Sequence, residues 1–185
     1  FEDVTYILSF DIEKMVEADW KRHAITEAQK SNIKYVFPEK KYEFDFSGGK
    51  IELETFVSTD EGVAFLLTAE GKNIYHAGDL HWWAWLDNEP DYDKWMKETF
   101  FSQIRKMKGK IIDLAFVPVD LRLEKNVFIG ADAVMRELNV KRLYPIHMFG
   151  SYDITKKFRE SEISRPYRDR IFDFDYDGQC IELDL

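Results

Sequence analysis

The chain has 185 residues, of which 45% are hydrophobic and 16% aromatic, and it carries a formal net charge of −9. So large an apolar share supports a folded core and excludes disorder as the default state. The acidity argues against binding to nucleic-acid backbones and to anionic membrane surfaces, both of which select clustered Lys and Arg. We expect no membrane helix, because no apolar run approaches the ~18 residues that one needs.

Length and cysteine content predict the organisation and location of the protein. The length suits one domain over residues 1–185. The single cysteine, Cys180, excludes a disulfide framework and predicts a reducing, cytoplasmic location. Because the chain begins with Phe1 and not with Met, we expect its N-terminus to be incomplete. Nothing in the sequence indicates an oligomeric state.

The first half of the chain predicts mainly strands. Apolar runs and period-two alternation indicate strands over 4–8, 33–37, 41–46, 50–57, 63–68 and 74–77. Apolar residues at helical spacing predict one helix from residue 12 to about residue 30, between the first two strands.

The second half alternates between helices and strands. The pattern predicts helices over 91–107, 130–138 and 154–160, the last with Asp153 as its N-cap, and strands over 111–118 and 141–146. Asp177-Gly178 predicts a hairpin between strands 171–176 and 179–185. Meandering strands followed by strand–helix alternation indicate an α/β layered fold with helices packed outside sheets.

Three predicted strands end in a residue that can bind a metal ion. Asp79 follows Gly78 at the end of one strand, and Asp120 and His147 follow two others. Carboxylate and imidazole are the usual zinc ligands other than thiolate, so these ends could form part of a divalent-metal site. The alternative for Asp79 is that it caps a helix or closes a turn, and for Asp120 we favour the turn role.

Further candidates surround Asp79 in the sequence. His76 and His81 could serve the site, although a strand histidine is more often a hydrogen-bonded core group and a loop histidine is as often on the surface. Asp60 is an additional acidic candidate. Trp82, Trp83 and Trp85 could wall a substrate pocket, although packing in a core is the commoner role of such side chains.

Three segments together resemble the metallo-β-lactamase-fold hydrolases. These are STDEGVAF at 58–65, IYHAGD at 74–79 and PIH at 145–147, and the similarity runs over about residues 1–149. It is closest to the UlaG-like, or generic zinc-dependent hydrolase, branch. The resemblance implies a four-layer αββα sandwich with a metal cleft at one edge of its two sheets.

The resemblance also implies the chemistry. Asp79 matches the catalytic aspartate that bridges two metal ions, and His147 matches the late histidine ligand. One or two divalent ions, zinc or else iron or manganese, would lower the pKa of a water molecule that attacks an ester, amide, lactone or phosphoester. The expected partner is therefore a small-molecule substrate, with no nucleic acid and no membrane.

One motif of that family is absent from this sequence. The His-x-His-x-Asp-His loop should follow the first strand, yet Ser9 joins Phe10 directly. Either a loop between Ser9 and Phe10 and an N-terminal piece are missing from the chain as given, or the motif is truly deleted. In the second case the protein is a metal-free binding module that uses the loop from Trp82 to Trp85. We favour the first, because a strand leading straight into a helix is an unusually tight connection.

Overall fold

The computed structural model describes residues 4–23, 26–46, 48–176 and 178–183. The strands are β1 (Tyr6–Ser9), β2 (Ile33–Val36), β3 (Lys41–Phe46), β4 (Gly49–Val57), β5 (Val63–Ala69), β6 (Lys72–His76), β7 (Ile111–Pro118) and β8 (Asn139–Ile146). The α-helices are α1 (Glu13–His23), α2 (Glu27–Ser31), α3 (Pro90–Ile104), α4 (Ile129–Glu137) and α5 (Asp153–Glu160).

Strands β3 to β8 form one six-stranded sheet in chain order. Its first four strands pair antiparallel, whereas β6, β7 and β8 run parallel to one another. The parallel strands are joined through helices, as such connections require. Their carboxyl ends therefore lie side by side at one edge of the sheet, which is where side chains from distant parts of the sequence can meet.

One face of the sheet is covered by helices α3, α4 and α5. Phe100, Val134 and Phe158, one from each helix, are fully buried in a single apolar cluster with sheet residues such as Leu66 and Tyr75. Burying side chains of this size contributes about 1.5–3 kcal/mol each, so this cluster is the main core of the molecule.

The opposite face of the sheet carries a second, smaller layer. Strands β1 and β2 form a parallel two-stranded sheet, and Val36 packs there against Leu53 and Val63, with Ile7 alongside. The predicted α/β layered architecture is confirmed. The second sheet of the sandwich has only these two strands in the part of the chain that the structure describes.

Two predicted elements are wrong. The single helix predicted over residues 12–30 is divided. A 3-10 turn (Phe10–Ile12) leads into α1, which ends at His23, and Thr26 is the N-cap of α2, where it forms a capping box. The hairpin after residue 171 does not form in the described residues there, 171–176 and 178–183; Asp177 lies outside them. Phe172 instead stacks on Tyr144, with ring centroids 4.7 Å apart, so packing on β8 replaces strand pairing.

Smaller points concern helix ends and connections. Asp153 is the first residue of α5, and Tyr152 occupies the N-cap position. β1 passes from Ser9 straight into the 3-10 turn. The additional loop at that junction and the single-domain organisation stay predictions. None of the helices in the described ranges combines the length and apolarity that crossing a membrane requires.

Candidate functional site

The ends of β6, β7 and β8 bring Asp79, Asp120 and His147 into one cluster. Asp79 Oδ1 lies 3.5 Å from His147 Nε2, and His147 Nδ1 lies 2.9 Å from Asp120 Oδ2. The two residues that the resemblance singles out, Asp79 and His147, thus face each other across the sheet edge. Both nitrogens of the imidazole are directed at carboxylates, with Asp79 on the more open side and Asp120 on the buried side.

The loop that carries Asp79 is held by a close approach at Gly78 and by side-chain hydrogen bonds to its backbone. Gly78 adopts a φ of +55°, and a Cβ there would lie 3.0 Å from the Val63 carbonyl oxygen, so glycine is required at this close approach. The Thr59 hydroxyl accepts a hydrogen bond from the His81 amide at 2.9 Å and lies 2.7 Å from the His81 carbonyl oxygen. Trp83 Nε1 donates to the Asp79 carbonyl at 3.0 Å. These bonds hold the backbone of the loop from which the Asp79 carboxylate projects.

Asp120 has two roles at once. It accepts a hydrogen bond from the Arg122 amide at 2.9 Å, which is the predicted turn role, and it also accepts from the Arg122 guanidinium and faces His147. Burial alone would raise the pKa of this carboxyl, but the bonds from Arg122 outweigh burial and hold the pKa below its usual value. An ionised Asp120 favours the imidazole form of His147 with its proton on Nδ1. Nε2 is then unprotonated, and its lone pair is available to bind a metal ion.

The segment after β8 is conformationally unusual. His147 has a φ of +68° and Phe149 a φ of +49°, the left-handed region that non-glycine residues rarely occupy. The His147 ring lies between the edges of Trp83 and Phe149, with centroid distances of 5.4 and 4.7 Å. Such backbone conformations cost energy and are concentrated at functional sites.

The surroundings of the Asp79 carboxyl penalise its ionised form. Burial raises the pKa of the Asp79 carboxyl, the carboxylates of Asp60 and Asp11 raise it further, and His147 opposes this rise. Where burial and like charges penalise an ionised carboxylate, a bound cation relieves both penalties. Asp60 itself is exposed at the rim, so it contributes charge rather than a buried donor atom.

The two other candidate histidines differ in exposure. His76 is exposed, so a core position for it is wrong; its Nδ1 accepts a hydrogen bond from the Gly78 amide at 3.1 Å, and its ring interacts electrostatically with Asp79. His81 is fully buried, with its ring against Trp83 and Phe100, so the surface alternative for it is wrong. Burial lowers the pKa of His81 to about 3, and neither of its ring nitrogens has a partner among the described residues.

The tryptophans mostly pack inside the molecule. Trp83 is only 3% exposed and stacks on Trp85, with ring centroids 5.7 Å apart. Trp82 packs edge-on against Phe101 of α3. Trp83 therefore backs the His147 ring, whereas Trp82 and Trp85 are both half-exposed.

The donor set fits an ion only in part. Two ligands of one tetrahedral zinc ion, each bound at about 2.1 Å, stand about 3.4 Å apart, which the 3.5 Å between Asp79 Oδ1 and His147 Nε2 matches. A catalytic zinc ion takes three protein ligands. No group of three metal-binding side chains exists among the residues that the structure describes, and Asp120 is already engaged by Arg122 and His147.

The sequence did not predict that Arg122 and Asp11 would lie beside the cluster. Arg122 stands two residues after a strand-end aspartate, a spacing at which an aspartate N-cap and an arginine can pair. Asp11 follows the Ser9–Phe10 junction closely, and its Oδ2 accepts a hydrogen bond from the Gly62 amide at 2.7 Å. The place at which the family motif is expected therefore lies at the rim of the site.

Comparison with family models finds no match, and no curated protein is similar in sequence. Solved structures do align. Zinc-bound PqqB from Methylobacterium extorquens is 12% identical over 97% of this chain and 62% of its own, with a TM-score of 0.51.

Two others are a proposed zinc-dependent hydrolase of the metallo-β-lactamase superfamily from Thermotoga maritima and the metallo-β-lactamase fold protein YhfI from Bacillus subtilis. The first is 22% identical over 63% of this chain and 50% of its own (TM-score 0.38), and the second 12% identical over 83% and 57% (TM-score 0.42). This chain thus spans less than two thirds of the length of all three structures. At these identities the likeness concerns the fold alone, and the chain has the metallo-β-lactamase fold.

Proposed function

We propose that this protein is a metal-dependent hydrolase whose centre includes Asp79 and His147 as ligands of one or two divalent ions, zinc or else iron or manganese. The observation that carries the proposal is the 3.5 Å approach of the two donor atoms from separate strand ends. When bound, the metal would supply an activated water molecule for attack on an ester, amide, lactone or phosphoester of a small molecule. Membership of the UlaG-like branch stays a prediction.

The residues of the chain have separate tasks in this proposal. Asp79 offers a carboxylate whose ionised form gains from a nearby cation, and His147 offers Nε2. Asp120 orients the imidazole through Nδ1 and is itself held by Arg122. Trp83, buried against the His147 ring, excludes water from its back.

The donors still required would enter at the Ser9–Phe10 junction. Asp11, immediately beyond it, bonds to Gly62 and raises the pKa of Asp79, so histidines inserted here would be close to the cluster. We expect the intact mass of the purified protein to exceed 22.0 kDa, the mass of the chain described here. A mass of 22.0 kDa would refute the inserted loop.

Metal binding tests the centre directly. We expect the purified protein to contain zinc, iron or manganese, and we expect Asp79→Asn and His147→Gln each to weaken zinc binding, measured by calorimetric titration, at least about 100-fold. Asp153→Asn is the matched control, because Asp153 is an exposed surface acid paired with Lys157. Equal zinc affinity in all four proteins would contradict the proposal.

A metal-free binding module is the second candidate. It is supported by the donor set of the described residues, which offers two free ligands where a catalytic zinc ion takes three. It predicts no metal in the purified protein and no zinc binding at micromolar concentrations, together with a mass of 22.0 kDa. For either candidate we propose a reducing cytoplasmic location, since the one cysteine, Cys180, is exposed and unpaired.

A further inference from the structure

We infer that Phe149 and Arg122 form a recognition rim for an aromatic oxyanion, a flat ring that carries a carboxylate or phosphoryl group. The inference rests on the proposed function, because it assigns the substrate class of that same site. Phe149 contacts the His147 ring and Arg122 bonds to Asp120, so both side chains lie beside the Asp79–His147 cluster, and neither donates a ligand to it.

Phe149 is exposed in a way that the fold alone does not require. Its side chain is 72% exposed, although it lies edge-on to His147 at 4.7 Å. Its backbone is in the left-handed region, which is a strained conformation for a bulky residue. An apolar ring held in solvent by a costly backbone conformation beside a polar cluster offers a stacking surface for a flat ligand.

Arg122 supplies the charge for the same ligand. Its guanidinium carbon lies 5.1 Å from the Phe149 ring and 5.6 Å from the Trp85 ring. Nε and Nη2 donate to Asp120, whereas Nη1 makes no hydrogen bond to the residues that the structure describes. The side chain is 59% exposed, so its remaining donor faces the solvent at the rim.

The short distance between ring and guanidinium limits the ligand. The guanidinium carbon lies over the Phe149 ring at 5.1 Å, so a flat ligand that contacts both the ring and Nη1 must carry its negative charge within a few bonds of its own ring. Guanidinium binds carboxylate and phosphoryl oxygens by the same charge-assisted hydrogen bonds. Arg122 lies beside the cluster with Nε and Nη2 bonded to Asp120, so Nη1 is the donor that an oxyanion would reach.

Binding of non-hydrolysable probes tests the rim without any activity. The probes are benzoate and phenylphosphonate, with benzamide as the neutral ring and methylphosphonate as the anion without a ring. We expect one or both ring anions to bind about tenfold more tightly than benzamide and methylphosphonate, as measured by calorimetry. Preference for phenylphosphonate or for benzoate distinguishes a phosphoryl from a carboxylate substrate.

Variants assign the two contributions. Phe149→Ala should weaken the binding of the ring anions about tenfold and leave the binding of methylphosphonate unchanged. Arg122→Gln should abolish the preference for benzoate over benzamide, and Arg122→Lys should keep part of it, which separates charge recognition from a loss of folding. Tyr176→Ala, which removes another exposed ring, is the control.

The result that overturns the inference is equal binding of anionic and neutral ring probes, absence of any binding up to millimolar concentrations, or full ring-anion affinity in Phe149→Ala. Zinc titration of the same samples reports on the proposed function separately. Zinc binding through Asp79 and His147 without probe preference refutes the rim alone, whereas probe preference without zinc binding refutes the metal centre alone.

Discussion

The two ends of strand β7 each hold a buried aspartate, and their surroundings differ. Asp113 lies near the start of the strand and is 3% exposed, and Asp120 lies just beyond its end and is fully buried. Asp113 accepts from Lys141 Nζ at 2.7 Å and from the Asn73 amide at 2.9 Å. Both of its oxygens are thus used within the fold.

Asp120 differs, because both of its side-chain partners have contacts or exposure beyond the buried carboxylate. Its partners are Arg122, which reaches the solvent, and His147, which faces Asp79. The comparison teaches that burial of a carboxylate does not distinguish a structural role from a functional one. What distinguishes them is whether the partner of the carboxylate has a second polar atom directed at an open site.

The largest effect on stability should come from substitution of Asp113, near the start of β7. Asp113→Ala leaves the Asn73 amide without its acceptor and Lys141 without its partner, so we expect a loss of about 2 kcal/mol in the free energy of unfolding, measured by urea denaturation. Zinc affinity should stay within about twofold of the wild-type value. A loss of zinc binding in a folded Asp113→Ala protein would remove the distinction between the two ends.

The functional end should show the opposite pattern. Asp120→Asn keeps the size of the side chain but weakens its bond to His147 Nδ1, so we expect zinc affinity to fall about tenfold, the lower end of the usual effect of such residues. Thermal denaturation should confirm that the variant folds. Unchanged zinc affinity in Asp120→Asn would show that Asp120 is structural as well.

A smaller effect should appear in the acid stability. Burial alone would raise the pKa of Asp113, but bonds from Lys141 and the Asn73 amide outweigh it, so the pKa lies below its unfolded value of about 3.9. The stabilisation is complete above that unfolded value and is lost as pH falls through the lower folded pKa. The difference in unfolding free energy between wild type and Asp113→Asn should therefore be constant above about pH 5 and narrow below about pH 4. A difference that widened on acidification would contradict the sign of the shift.

The smallest effect should come from an exposed ion pair. Lys157 and Asp153 pair at 2.5 Å on α5, but both side chains are more than 60% exposed. Lys157→Ala should change the unfolding free energy by less than about 0.5 kcal/mol and leave zinc affinity unaltered. A larger change would mean that exposed ion pairs, and not only the buried carboxylates, contribute substantially to the unfolding free energy.

Local patterns predicted strands β1 to β8 and placed Asp79 and His147 just after β6 and β8. The apolar run of β7 was predicted with its observed bounds, and Gly78-Asp79 marked a strand end because glycine permits the turn there. The function of Asp120 could not be predicted in the same way. It depends on the parallel register that places Pro118 opposite Ile146, and that register sets Asp120 beside His147.

The errors in the fold have the same origin. Asp177-Gly178 is a good turn signal, yet Phe172 stacks on Tyr144 and Phe172 donates its amide to the Leu143 carbonyl at 2.9 Å. Contacts with a strand far away in sequence thus replace the local hairpin. His81 likewise lies in a loop by pattern, but the small size of Gly130 lets α4 approach and enclose its ring.

The hydroxyl of Thr59 has an implication for how this protein would be mapped by mutagenesis. One oxygen atom, on a connection between β4 and β5, holds the turn that presents Asp79. A genetic screen that scores turnover alone would therefore rank Thr59 with the reacting groups, although its hydroxyl is bonded to the His81 backbone. Thr59→Ser, which retains the oxygen, and Thr59→Val, which retains the shape, would separate an anchoring residue from a chemical one.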